Sequence, residues 1–360
     1  MKQAVQFGSR MMSVCVVMCG VCYLIGAPYS ASAQGPLTPP GAPAPMMKTL
    51  DQVEPRTAVT NLPYTIAQSG SYYLTGNLVE SGTTTGLVIQ ADNVTLDLNG
   101  FALLGSGAGA VNGVQMAAAQ QNCAIYGGTI RGWGGSGISA ALSRCRVERL
   151  FVSNNGSFGV SVGPGSLVKD CIAAQNSSFG LNIGGNSTVI SCVVVSNGAN
   201  IVVGNGCTIK DCTASASPLG DGIFAGQDCM IQGCTTRTNA FQGIEVGSGC
   251  LIKDCTANAN KLTGIHVGSQ CLILNCLSLA NGSYGVVTTG DRNRIEGNVV
   301  VGNLNGDISV GLGTNVVIRN SGSVLFAGDT LVGTNYTDRT LLNADKNPHA
   351  NFGVNALGPQ

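Results

Sequence analysis

Glu245 and His266 are the residues of this chain whose types and spacing could move a proton. They stand 21 residues apart in the segments GIEVG and GIHVG, each between two aliphatic residues. Alternate side chains of an extended segment point to opposite faces. With Ile244/Val246 and Ile265/Val267 turned inward, Glu245 and His266 therefore turn outward. Paired side by side, the two segments would hold them about 4.8 Å apart, a spacing at which a carboxylate can serve as base and an imidazole as acid. Arg237, Lys253 and Asp254 fall on the same stretch of chain and are the candidate substrate contacts. A solvated surface ion pair has the same signature, so the chemistry depends on what positions these residues.

What positions them is a repeat. GIFAGQDCMIQGCTTRTNAFQ from Gly222, GIEVGSGCLIKDCTANANKLT from Gly243 and GIHVGSQCLILNCLSLANGSY from Gly264 restate one grammar at a step of 21 residues. Fixed self-similarity at this period marks a solenoid. Upstream, Gly137, Gly159, Gly180 and Asn200 hold the same place, with longer and less regular units opening at Gly86 and Gly113. Each unit carries three short alternating segments, such as Ile244/Val246, Cys250/Ile252 and Cys255/Ala257, separated by turn residues. Three strands per unit, each paired with its equivalent one unit away, make an all-β, single-stranded parallel β-helix of about eleven coils. Leucine-rich repeats need several leucines per unit, and a propeller blade needs about twice the step.

Stacking the coils turns sequence columns into ladders. Cys207, Cys229, Cys250 and Cys271 form one, and Cys212, Cys234, Cys255 and Cys276 a second, five residues further on. Cys123 and Cys145 extend the first column, Cys171 and Cys192 the second, and asparagine replaces cysteine in both at Asn293/Asn298 and Asn315/Asn320. Equivalent residues of in-register strands lie about 4.8 Å apart with parallel Cβ directions, whereas a disulfide needs converging Cβ atoms about 3.8 Å apart. The reading is free thiols packed as small buried groups, with some vertical disulfides as the alternative, and with no metal site and no cofactor. A third ladder, Asn155, Asn176, Asn197, Asn239, Asn260, Asn281 and Asn303, reads as turn architecture, with Pro218 expected to interrupt it. The Lys-Asp-Cys triplets at Lys169, Lys210 and Lys253 recur with the repeat and read as solubilising edge charge.

Composition agrees with many strands and turns: 52 glycines, 10% charged and 5% aromatic residues among 360. Eighteen basic and eighteen acidic side chains cancel, and no run of like charge tracks a phosphate backbone, which argues against nucleic acid as a partner. The N-terminus reads as targeting: Lys2 and Arg10, an apolar run from Met11 to Ile25, then Ala31-Ser32-Ala33 as a cleavage site. This predicts a signal peptide over 1–33, export to the periplasm, cell surface or medium, and no transmembrane segment after cleavage. A proline-rich linker follows over 34–47, an N-terminal β cap over 48–85, the β-helix over 86–320, and a C-terminal cap and tail over 321–360.

The coil grammar GI.VG..C.I..C.A..N, the entry segment LPYTIAQSGSYYLTGNL and the following GLVIQADNVTLDLNGFAL resemble the exported bacterial right-handed parallel β-helix proteins of the pectate-lyase-like superfamily, over roughly Lys48 to Asn320. The resemblance implies a right-handed helix, and it implies polysaccharide lyases, glycoside hydrolases and uronan epimerases as possible activities. It brings none of their motifs: there is no Asp-Pro-His-Glu, no Asp-Asp pair, and His266 and His349 are the only histidines. Hydrolysis of a glycoside needs two carboxyl groups flanking the bond. The expectation is thus a non-catalytic carbohydrate-binding or surface and matrix scaffold protein, whose partner is a polysaccharide or another copy of itself; a polysaccharide-active enzyme with an atypical site is the alternative. Outward Ile172, Val193, Thr213, Thr235, Thr256 and Leu277, beside Val195 and Leu279, suggest a long, partly apolar face for such contacts.

Overall fold

The computed structural model describes residues 55–326 and 331–332. The expected signal peptide and linker, and most of the C-terminal segment including His349, lie outside the described residues. The described chain is all-β, with 36 strands and no helix. Thirteen strands form one parallel sheet and twenty-three the other. Each coil contributes one strand to the smaller sheet and two to the larger, as Ile244–Val246, then Leu251–Lys253 and Thr256–Asn258 illustrate. The larger sheet joins two strand columns because Cys123–Arg131 and Cys145–Ser153 run unbroken round the corner between them.

Thirteen strands in the smaller sheet make about twelve turns, slightly more than the eleven read from the sequence. Part of the difference lies in 64–80, read as cap: Tyr64–Ile66, Gly70–Leu74 and Leu78–Glu80 each pair in parallel with the coil that follows. Its insertions hide the 21-residue step. At the other end Val324–Phe326 pairs with Gly306–Val310 and Leu331–Val332 with Val316–Ile318, continuing both sheets.

The interior is a stack of one-residue columns. Ile223, Ile244 and Ile265 are fully buried, as are Ile231, Ile252 and Ile273. Corners between strands are left-handed: Asp170, Asp211 and Asp254 have φ of 52°, 53° and 54°. A carboxylate or amide residue tolerates that region best after glycine, and Asn275 and Gly297 occupy the same corner further along with φ of 52° and 67°. The aspartate of the Lys-Asp-Cys triplet is therefore a corner residue, and its lysine partner forms an exposed ion pair with it, 3.7 Å at Lys253–Asp254.

Each corner is followed by a small inward residue, and that residue has a task beyond packing. The Cys207 amide N–H donates to the Cys229 sulfur at 3.4 Å, and the Cys229 N–H to Cys250 at 3.3 Å. Serine or asparagine does the same elsewhere in the column: Cys145 N–H to Ser166 Oγ at 3.0 Å, Cys271 N–H to Asn293 Oδ1 at 2.8 Å. Corner amides that cannot join the strand ladder are satisfied by the next coil's side chain, so any small residue with an acceptor atom fits. All twelve cysteines among the described residues are buried and free. Burial pushes the Cys145 thiol up to about 12, with Cys123 adding to the effect.

The third corner carries the asparagines. Asn239 donates from both its amide N–H and Nδ2 to Asn260 Oδ1 (3.2 and 2.9 Å), and Asn260 repeats this to Asn281 (3.0 Å for both). Pro218 does not interrupt this ladder as expected. Ser217 takes the corner, and Asn200, from the glycine column, bridges the gap by accepting from Asn197 Nδ2 at 3.1 Å and donating to Asn239 Oδ1 at 3.0 Å.

Candidate functional site

The site lies on the outer face of the thirteen-stranded sheet. Register places Glu245 opposite His266, with Phe224 before them and Val287 after them. The inward neighbours Ile244, Val246, Ile265 and Val267 are buried, which fixes the outward direction of the pair. Glu245 Oε1 lies 3.6 Å from His266 Nδ1, beyond hydrogen-bond range, with side-chain exposures of 29% and 24%. The Nδ1 atom is shut off from solvent without a hydrogen-bond partner. Phe224 is more open, at 41%.

A third group, invisible in the repeat pattern, joins them. Asp221 stands two residues before the strand Ile223–Ala225, where the chain turns into the sheet, and its Oδ1 accepts the Gln242 amide N–H of the next coil at 2.9 Å. Burial pushes its carboxyl up to about 6; the Gln242 bond opposes that, the Glu245 charge adds to it, and His266 opposes it. Equivalent positions hold Gln242 and Thr263, so no repeating residue announced Asp221 in the sequence. The three side chains do not form a metal-ligand set; among the described residues no group of three His, Cys, Asp or Glu does.

A raised carboxyl pKa has a stability consequence. Folding favours the neutral acid, so the contribution of Asp221 is most favourable below its unfolded value near 3.9 and is lost as pH rises through about 6. Asp221→Asn keeps an acceptor for Gln242 and removes the charge. It is expected to stabilise the fold at pH 7.5 by about 1 kcal/mol, after discounting the shift for partial exposure, and to leave stability at pH 3.5 unchanged. Urea unfolding at the two pH values measures the difference.

Arg237, Lys253 and Asp254 are not brought to this site. Arg237 ends Thr235–Arg237 and Lys253 ends Leu251–Lys253, both in the larger sheet, and Asp254 is the left-handed corner after it. Ile172 and Val193 are about two-fifths exposed, in register with Thr213, Thr235, Thr256 and Leu277 on that same sheet. Clefts lie elsewhere: one of about 290 Å³ beside Thr95, Arg144 and Arg146, and one of about 400 Å³ beside Val79, Leu104 and Arg131. In the first, Arg144 donates to Asn122 Oδ1 and Arg146 faces Glu148 at 3.6 Å, so both guanidinium groups are already engaged.

The outer column of the smaller sheet runs from Thr65 through Val88, Gln115, Ser139, Ser161, Asn182 and Val202 to Phe224, Glu245 and His266, ending in Val287, Ser309 and Leu325. None of these thirteen residues is lysine or arginine.

Residues 197–337 match the family described as "Right handed beta helix region". Among solved structures, the A-module of a mannuronan C-5 epimerase of Azotobacter vinelandii is 15% identical, with 77% of this chain and 90% of that one covered and a TM-score of 0.48. The Dettilon tailspike protein is 14% identical over 83% of this chain and 60% of its own, with a TM-score of 0.47. The surface adhesin PfbA of Streptococcus pneumoniae is 10% identical over 75% and 84%, with a TM-score of 0.40. No curated protein matches the sequence. The family match supplies the handedness that the parallel coils leave open, and the described residues form a right-handed parallel β-helix.

Proposed function

We propose that this chain is an exported, non-catalytic carbohydrate-binding protein that receives a glycan on the outer face of its thirteen-stranded sheet. The observation that carries the reading is the run Phe224, Glu245, His266 on consecutive strands: an exposed aromatic ring in register with half-buried polar side chains. A sugar presents an apolar C–H face and hydroxyl groups, which such a run meets with ring and hydrogen-bonding groups respectively. Strand spacing of about 4.8 Å is close to the length of one pyranose ring, so successive strands can address successive sugars. The signal-like segment 1–33 supports export to the periplasm, surface or medium. The half-exposed apolar column of the larger sheet leaves room for self-association as a matrix component.

The enzymatic alternative rests on Asp221, whose carboxyl is pushed up to about 6 beside Glu245 and His266 and so could give and take a proton near neutrality. Against it stands the exposure of the site: Glu245 and His266 are about a quarter open to solvent and Phe224 is 41% exposed, which leaves water access to a reacting bond. A glycan array run with reducing-sugar and unsaturated-uronate assays separates the two. Binding without turnover, weakened at least tenfold in Phe224→Ala, is the expected result. Turnover lost in Glu245→Gln would establish the enzyme instead, and an array without hits would remove the carbohydrate reading.

A further inference from the structure

Resting on the carbohydrate reading, we infer that the glycan recognised here carries free amino groups, and that Glu245 receives a sugar ammonium beside the ring of Phe224. The inference comes from the charge pattern of the whole face. A uronan lying along this sheet would bring a carboxylate at nearly every sugar, and each would need a cation or a donor-rich pocket. The thirteen outward positions supply no lysine or arginine, and the ionisable groups at the site are two carboxylates and one imidazole. Placing uronate carboxylates against them would set like charges together, which costs free energy and discriminates against the ligand.

An ammonium meets the opposite situation. Glu245 is about a quarter exposed, open enough to be reached and shielded enough for a charge pair to be stronger than one in free solvent. The ring of Phe224, 41% exposed on the adjacent strand, offers its face both to the C–H side of the sugar and to the cation. His266 Nδ1 lies 3.6 Å from Glu245 Oε1 without a hydrogen bond to it, so the imidazole flanks that carboxylate and leaves its oxygens to the ligand. Of the nearby cationic residues, Arg237 and Lys253 belong to the other sheet, and Lys261 lies in the turn before Ile265–Val267 rather than on the outward column.

The test compares three oligosaccharides by calorimetry on the full mature chain at a mildly acidic pH of about 6, where glucosamine amines are largely protonated: a β-1,4-linked glucosamine hexamer, its fully N-acetylated counterpart and a hexamer of uronic acid. The glucosamine hexamer is expected to bind at least tenfold tighter than the acetylated one. Glu245→Gln should abolish that preference while retaining weak binding of both, and Phe224→Ala should weaken both. Equal affinity for the amine and its acetylated form, with sensitivity to Phe224→Ala, would overturn the inference and leave the carbohydrate reading standing. So would tighter binding of the uronate hexamer that Phe224→Ala weakens. Binding of the amine unaffected by either substitution would place it elsewhere on the surface and also overturn the inference. Failure of all three sugars together with an array without hits would remove both readings. Circular dichroism of each variant checks that the fold survives.

Discussion

Gly243→Ala is expected to destabilise the fold by at least about 3 kcal/mol, although the backbone of Gly243 is not in the left-handed region and alanine could adopt it. The obstacle is space. A Cβ at this position would lie 2.6 Å from Asn260 Nδ2, 2.6 Å from the Gly264 carbonyl oxygen and 2.6 Å from Thr236 Oγ1. Asn260 is held by its bonds to Asn281 and the Gly264 carbonyl belongs to the next coil's paired backbone, so neither can yield without breaking a ladder. Overpacking alone costs about 1–3 kcal/mol, and each buried polar group that loses its partner adds about 1–3 kcal/mol. Gly76→Ala is the control: nothing lies within 4 Å of its would-be Cβ, and the expected change is under about 0.5 kcal/mol. Urea midpoints of the two variants measured side by side decide the matter. A Gly243→Ala protein as stable as Gly76→Ala would mean that the glycine column does not seat the asparagine ladder.

That column shows how much of the molecule the sequence made legible. The 21-residue step, the three strands per coil and the inward cysteines and asparagines follow from repetition, because a residue that must stack on its own kind recurs at the coil length. Glu245 beside His266 followed from the same register. Features that do not repeat were hidden. Asp221 replaces residues of unrelated chemistry in its column, and it belongs to the site only because the Gln242 amide of the next coil fixes its carboxylate. The separation of Arg237, Lys253 and Asp254 from the site was equally hidden, since neighbours on one coil face different sides once the chain turns its corners. The coil over 64–80 escaped because insertions remove the step while leaving the strand pairing intact.

Asn200→Gly is expected to be destabilising by about 2–4 kcal/mol, although glycine is the residue that neighbouring coils place there. Gly180, Gly222, Gly243 and Gly264 each precede a ladder asparagine by 17 residues: Asn197, Asn239, Asn260 and Asn281. The coil from Asn200 inverts the pair, with asparagine in the glycine place and Ser217 in the ladder place. Ser217 is short, so the room a ladder amide would fill is open to Asn200, which is fully buried and takes over the bonds. Removing it alone leaves Asn197 Nδ2 without the Asn200 acceptor, although that nitrogen still reaches the Ala173 and Val195 carbonyls at 2.9 and 3.1 Å, and it also withdraws a donor from Asn239 Oδ1. Ser217→Asn alone should fail for the reason Gly243→Ala does, with two amides competing for one space. The double variant Asn200→Gly/Ser217→Asn restores the pairing of the other coils and is expected to recover most of the wild-type urea midpoint, an interaction energy of roughly 2–3 kcal/mol between the two sites. Additive losses in the double variant would show that the two residues are independent and that the exchange of side chains between columns does not keep the ladder continuous.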